Sequence, residues 1–363
     1  MTRTPPPCPR RRGRRGGRAN RFALVRCADN RFAARPPAMS NPNFAKASLP
    51  AACLAVVYLC LVSSVGKLIH NEFAFFPELA ALGYGIFMRP NGPWAKAPLM
   101  VLATPTVTAL WGMAVATHLP YGAPAAILCI AGAILIVKVM KSPVFPAVPA
   151  AFLPLVFGVT SLHYVVFIAC DTGALALLSM AYRPAWQPGA GIAPPAAPGA
   201  MPAPGATASG KATRWVAYWC VLAIAYLLAA RAGIRLILFP PLLVLAYEML
   251  IRPEHCPWAR RAALVPVLCV ACAALGWASV ALFGTGPLSV LIAFGLAIVL
   301  IRAADAFVLP ALAISVIPQI MPHVDWKYPL AIGTGTCVVV AVRAVLNVVE
   351  QGQARATGGR AIE

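Results

Sequence analysis

Charge is scarce in this sequence. Only 11% of the 363 residues are Asp, Glu, Lys or Arg, where a soluble domain carries roughly 25%. A chain so poor in charge cannot cover a water-facing surface, which excludes the soluble globular classes. Histidine is sparse too, five in all, and none stands at ligand spacing from a cysteine, so no metal site is legible. No Ser-His-Asp set, HExxH, Walker or Rossmann pattern appears, which removes the familiar catalytic centres. The expectation is a non-enzyme with no catalytic residue, no metal and no cofactor.

What is there is apolar. Hydrophobic residues make up 60% of the chain and gather in long runs, among them Leu49–Val65, Trp215–Ala230 and Ala262–Phe283. Runs of this length read as bilayer spans. The fold expected is all-α: a polytopic helical membrane protein whose first partner is the lipid bilayer.

The net charge of +20 is unevenly spread. Residues 1–38 hold eleven Arg and one Asp, a net of +10; the other 325 residues hold 19 basic and 9 acidic side chains, again +10. The first stretch has no hydrophobic period. A polybasic arm for anionic lipid or nucleic acid would look like this. The plainer expectation is that Met39, at "MSNPNFAKASLP", is the true start, with the Arg/Pro/Gly-rich preface as translated upstream sequence and no nucleic-acid partner. The eleven cysteines lie mostly inside apolar runs (Cys53, Cys60, Cys129, Cys170, Cys220, Cys337), and the Cys269/Cys272 pair lies in one as well. There cysteine acts as a small packing residue.

The chain repeats itself. Aligning Phe76 with Phe239 brings together Pro77/Pro240, Leu79/Leu242, Leu82/Leu245, Tyr84/Tyr247, Arg89/Arg252 and Pro90/Pro253, seven identities in fifteen positions. One extra residue in the next loop of the second copy pairs Trp94 with Trp258. The same offset then pairs Gly112 with Gly276, Gly122 with Gly286, Lys138 with Arg302, Pro146 with Pro310 and Tyr164 with Tyr328. Chance likeness between apolar runs would match Ala, Leu and Val. Matched Arg, Trp, Tyr and Pro at constant offset mean an internal duplication.

The domains expected are an Arg-rich extension (1–46), a first membrane repeat (47–182), a Pro/Gly/Ala-rich linker (183–213), a second repeat (214–349) and a polar tail (350–363). Each repeat offers six apolar segments. All six crossing is the favoured reading, with the fourth and fifth as a re-entrant hairpin the alternative. Either way an even number of crossings makes the copies parallel. With residue 46 inside, fifteen basic residues fall inside and four outside, which places both termini in the cytoplasm. The expected location is a bacterial inner membrane.

The pattern "FPELAALGYGIF…P", a Gly-containing span, then "AILIVKVMKSPVFPAVPAAFLPLVFG" resembles the HPP family of integral membrane proteins. The resemblance covers about 110 residues of each half. In it Lys138, Lys141, Pro146, Ala150 and Leu153 occupy places comparable to the family's basic residue and His-Pro-Pro-Ala-Gly-Ala signature. The signature His is Phe145 here and its second Pro is Ala147. The resemblance implies a membrane protein of a family with one branch associated with nitrite transport, and the missing His removes any role for that side chain.

Several residues could carry function. Asp171 lies mid-segment among apolar neighbours, where a carboxylate costs about 2.5–3.5 kcal/mol on insertion scales. It therefore faces a solvated path, or a packing partner. Its counterpart is Gly335, while Thr172 matches Thr336. Lys138 and Arg302 form a basic pair that is either an anion site near the pseudo-axis or a positive-inside anchor. Arg89, Arg252, Trp94 and Trp258, just past a span, are expected as interfacial anchors. Pro77, Pro240, Pro146 and Pro310 are candidate helix starts, because proline suits a first turn whose N–H groups are unpaired; kinks within spans are the alternative. The function expected is a transporter or channel for a small solute, with preference for a small inorganic anion such as nitrite, its path between the repeats; a homo-oligomer is compatible with it. The alternative is a scaffold or accessory subunit.

A chain begun at Met39 should insert and accumulate like the full chain, measured by membrane-fraction yield; loss of insertion would make residues 1–38 a genuine element.

Overall fold

The computed structural model describes residues 42–185 and 208–359. The Arg-rich preface, most of the linker and the last four residues lie outside the described residues, and with them the expectations placed there. The rest is all-α: twelve helices, six in each copy of the repeat.

In the first copy these are α1 (Pro42–Leu68), α2 (Leu79–Met88), α3 (Pro98–His118), α4 (Ala123–Val139), α5 (Val148–Phe157) and α6 (Leu162–Ala185). The second copy follows the same order: α7 (Ala208–Ala232), α8 (Pro240–Ala246, extended by a π-turn to Ile251), α9 (Leu264–Phe283), α10 (Pro287–Ala303), α11 (Leu309–Val316, extended by a 3-10 turn to Ile320) and α12 (Lys327–Gly359). Each copy thus runs long, short, long, intermediate, short, long. Helices α6 and α7 reach into the stretch read as linker, and α12 into the polar tail. Salt bridges tie two of these ends together, since Arg214 of α7 pairs with Glu350 of α12 at 2.8 Å and with Glu254 at 2.6 Å. Part-burial opposes ionisation of Glu254, but its own backbone N–H and Arg214 hold it below its ordinary value.

Six helices are long and apolar enough to cross a membrane: α1, α3, α6, α7, α9 and α12. At 1.5 Å per residue the 17-residue helices α4 and α10 rise roughly 25 Å, near the lower limit for a span. The second and fifth segments of each copy are different. Helix α2 has ten residues, about 15 Å, and so covers half a bilayer. The short segments expected within each repeat are there, and the shortest are the second and the fifth, with the fourth intermediate. The physical reason is proline and break spacing. Arg89-Pro90 closes α2, Pro146 and Pro310 open the fifth segments, and Gly158 in the left-handed region (φ 72°) closes α5.

Burial separates the two kinds of helix. The long ones keep apolar side chains on the outside, such as Leu61 at 61% exposure and Leu282 at 76%, as a lipid-facing surface requires. Every residue of α2, α8 and α11 is buried, and α5 is buried from Val148 to Val156. These four short helices form the centre, and they pair across the copies, α2 with α11 and α5 with α8.

The duplication is visible in the packing. Tyr164 donates to the Ala150 carbonyl at 2.7 Å, and its counterpart Tyr328 donates to the Ile314 carbonyl at 2.6 Å. A Cβ on Gly112 of α3 would collide with the Ala151 carbonyl of α5; on Gly276 of α9 it would collide with the Ser315 carbonyl of α11. The same backbone-to-helix crossing is built twice, and it is why both positions are glycine.

Gly112→Ala and Gly276→Ala should each destabilise the protein by about 1–3 kcal/mol through overpacking. Gly295→Ala, where a Cβ meets nothing within 4 Å, should not. Thermal unfolding in detergent reads the difference, and equal effects at all three glycines would contradict these crossings.

Candidate functional site: a cavity between the two copies

At the centre lies a cavity of about 20 Å3, room for roughly one water molecule. All the residues lining it are buried. Four pairs of repeat-equivalent positions line it: Glu78/Pro241, Ala81/Val244, Trp94/Trp258 and Pro146/Pro310. A cavity walled by both members of each pair lies between the copies.

Two carboxylates face it, and sequence reasoning missed both. Glu78 occupies the cap position at the start of α2, yet its side chain makes no capping bond, and both its oxygens are buried without a hydrogen-bond partner. Glu248, in the π-turn after α8, has its Oε2 in the same condition. The two are not repeat mates: Glu78 corresponds to Pro241 and Glu248 to Gly85. Gly85 has no room for a side chain, because a Cβ there would come within 2.7 Å of the Trp94 ring and 3.2 Å of Leu309. Each copy therefore contributes one acid at a position where the other copy has none. The signal was in the sequence as two acids that break the repeat inside apolar segments, but a search for matched residues passes over them.

The arginines expected at the bilayer boundary are inside the protein. Arg89 is 5% exposed and Arg252 6%. The Arg89 guanidinium lies 4.3 Å from the centre of the Phe307 ring, and none of its three nitrogens has a hydrogen-bond partner. It lines a second, smaller cavity of about 10 Å3 with Gly85, Gly92, Pro93, Trp94 and Leu309. Arg252 sits 5.7 Å from the centre of the Tyr247 ring, and both arginines are within electrostatic reach of Glu248. Trp94 and Trp258 are likewise buried; Trp94 Nε1 donates to the Pro143 carbonyl at 2.9 Å. The α2–Trp94 and α8–Trp258 loops fold back over the core, which the position of these residues after a span did not reveal.

Toward the end of α1 a third cavity opens, about 320 Å3, lined by Ser63, Lys67, His70, Phe75, Gly286 and Gln319 among others. Gln319 is fixed in it, accepting from Gly286 N at 2.9 Å and donating to Ser289 Oγ at 2.8 Å. Only Phe76 and Pro77 separate Phe75 in this cavity from Glu78 in the central one. The central cavity in turn shares Trp94 and Leu309 with the Arg89 cavity.

The basic repeat pair does not converge on one point. Arg302 Nε donates to Tyr84 Oη at 2.9 Å, and the Lys138 ammonium lies 4.3 Å from the centre of the Trp215 ring. Each reaches an aromatic of the opposite copy, so the pair joins the two copies on two flanks. Thr172 and Thr336 are buried and donate to the carbonyls of Ile168 and Ile332 in their own helices, at 2.6 and 2.8 Å. Pro240 opens α8, Pro146 and Pro310 lie in first turns, and Pro77 precedes the cap of α2.

Asp171 is half-buried within the first copy. The Tyr58 hydroxyl of α1 donates to its backbone carbonyl at 2.6 Å, while its carboxylate Oδ2 is buried and unpartnered. It lines none of the three cavities along α2. Its counterpart Gly335 has no space for any side chain, because a Cβ there would strike the Ile237 carbonyl. The acid is one-sided because the second copy packs more tightly at this point.

The chain matches no protein-family model, no curated protein and no solved structure.

Because Asp171 Oδ2 is buried with no donor to strand, Asp171→Leu should leave stability unchanged or raise it. Tyr58→Phe, which strips the carbonyl of its donor, should cost about 1 kcal/mol. A large loss for Asp171→Leu in detergent unfolding would show that the carboxylate holds a partner.

Proposed function

We propose that this protein is a membrane transporter for a small inorganic anion of the size of nitrite, moved along α2 between the two copies of its repeat. The observation that carries the reading is the pair of adjoining cavities at Glu78 and Arg89, which share Trp94 and Leu309, with the wide cavity at Lys67 and His70 ending on Phe75, three residues before Glu78. In this reading the wide cavity is the outer end of the path and the Arg89 cavity its cytoplasmic end.

Arg89 is the anion-binding group. Its guanidinium is buried, lines a cavity and has no hydrogen bond to satisfy its five N–H groups. A planar oxyanion offers the paired acceptors that a guanidinium fits. Short helices ending inside the membrane leave polar backbone ends near such a site, an arrangement suited to binding small charged solutes at depth. The central cavity holds no more than a water-sized guest and the Arg89 cavity is smaller still, so the protein in this conformation is occluded, and both movement and entry of an anion beside Arg89 require Phe75-Phe76 on one side and Trp94 on the other to shift. That favours a carrier over an open channel. The likeness to the HPP family, one branch of which is associated with nitrite transport, points the same way.

Reconstituted into liposomes, the protein should take up nitrite or nitrate above the protein-free background, and Arg89→Gln should reduce the rate by roughly tenfold or more, the scale of a lost charged hydrogen bond. No flux of nitrite, nitrate, chloride or small carboxylates under any imposed gradient would favour the scaffold reading instead.

A further inference from the structure

We propose that Glu78 and Glu248 form a proton-binding site at the centre of the molecule, and that protonation of Glu248 releases Arg89 to hold the anion, so that one proton and one anion travel together. This rests on the anion path proposed above.

The geometry identifies the ligand by what the cavity lacks. Glu78 is 2% exposed and Glu248 3%. Apart from their carboxylates the wall is Ala81, Pro146, Pro241, Val244, Leu309, Pro310, Ala313 and the two tryptophans. A hard metal cation needs about six oxygen ligands, and this wall offers only the carboxylate oxygens. A proton needs one lone pair and no coordination shell. An ionised carboxylate without a donor in such a place is costly, and a proton on Glu78 removes the cost.

The other charged and titratable groups around the site leave it this role. Tyr164 of α6 and Tyr328 of α12 lie in electrostatic reach of Glu78, but both hydroxyls are committed as donors to backbone carbonyls. Helices α5 and α11 carry no ionisable side chain. From α1, Tyr58 is held by the Asp171 carbonyl and Lys67 faces the wide cavity. From the second copy, Tyr247, Cys256 and Arg252 lie in electrostatic reach of Glu248, and from the first copy Arg89 does; of these only the two arginines carry charge to balance it.

The coupling follows from charge balance. With Glu248 ionised, its negative charge is shared by Arg252, the stronger partner, and Arg89. When a proton from the wide cavity passes to Glu78 and on to Glu248, no bond other than the transferred O–H forms or breaks, and the two arginines lose the negative charge they shared, Arg89 with no hydrogen bond to replace it. An anion entering the Arg89 cavity restores the balance. Release of both to the other side returns the protein to its starting state, with one proton and one monovalent anion moved and no net charge transferred.

Two measurements test this separately. In purified protein, infrared difference spectra across neutral pH should show protonated-carboxyl bands that fade as pH rises; Glu78→Gln should remove one band and Glu248→Gln another, while Glu78→Asp should shift its band and keep it. In liposomes, acidifying the outside should accelerate nitrate uptake by the intact protein, and Glu248→Gln should abolish that acceleration. Nitrate serves as probe because it does not cross lipid as a neutral acid. Titrating bands without any anion flux would uphold the proton site and overturn the anion path. Anion flux with no titrating carboxyl band, or with bands unchanged in both variants, would overturn the proton site and leave the path standing.

Discussion

A helix that stops halfway through a bilayer leaves backbone N–H and C=O groups with neither water nor a helical partner. Lipid cannot satisfy them, so such a helix is tolerated only where protein surrounds it. The rest of this structure follows from that constraint. Each copy contains two short helices of this kind, and all four are buried at the centre. The long helices surround them and turn their own apolar side chains outward. One copy alone has three long helices and one intermediate helix to do this. Two copies supply twice that number, and the short helices also pack on one another across the copies, α2 with α11 and α5 with α8. Duplication is thus the means by which the short helices are enclosed.

Enclosure on these terms is symmetric, and function enters where the symmetry is broken. The backbone crossings at Gly112 and Gly276, and the Tyr164 and Tyr328 hydrogen bonds, are the same in both copies because they hold the short helices in place. Glu78 and Glu248 have no repeat mates, and both turn into the cavity on the pseudo-symmetric boundary. Arg89 and Arg252 are repeat mates in different surroundings, one over Phe307 and the other beside Tyr247. A site composed of unlike groups from like frameworks has two different ends.

The duplication, the all-α fold and the helix-opening prolines were legible in the sequence. They rest on local rules: apolar length, proline's missing donor, and matched Arg, Trp, Tyr and Pro at a fixed offset. The roles of the matched residues were less legible. Arg89 follows an apolar segment, the usual place for a headgroup anchor, and nothing in its neighbourhood says that Phe307, more than two hundred positions away, lies under its guanidinium. Lys138 and Arg302 are equivalent in sequence and suggest a shared site, yet each ends against an aromatic of the opposite copy. Asp171 stands out as an acid in an apolar run, while Glu78, close to the chain's Phe-Pro motif, looks like an ordinary residue at a helix start.

The sequence by itself determined that the chain is a twice-written bundle of apolar helices, because hydrophobic length and repeat offset are properties of the order of residues alone. Only the tertiary structure decided which segments are enclosed by the others, and which charges meet at the centre. Those outcomes depend on contacts between positions far apart in the chain, where a single missing Cβ at Gly85, Gly112 or Gly335 determines what can come close.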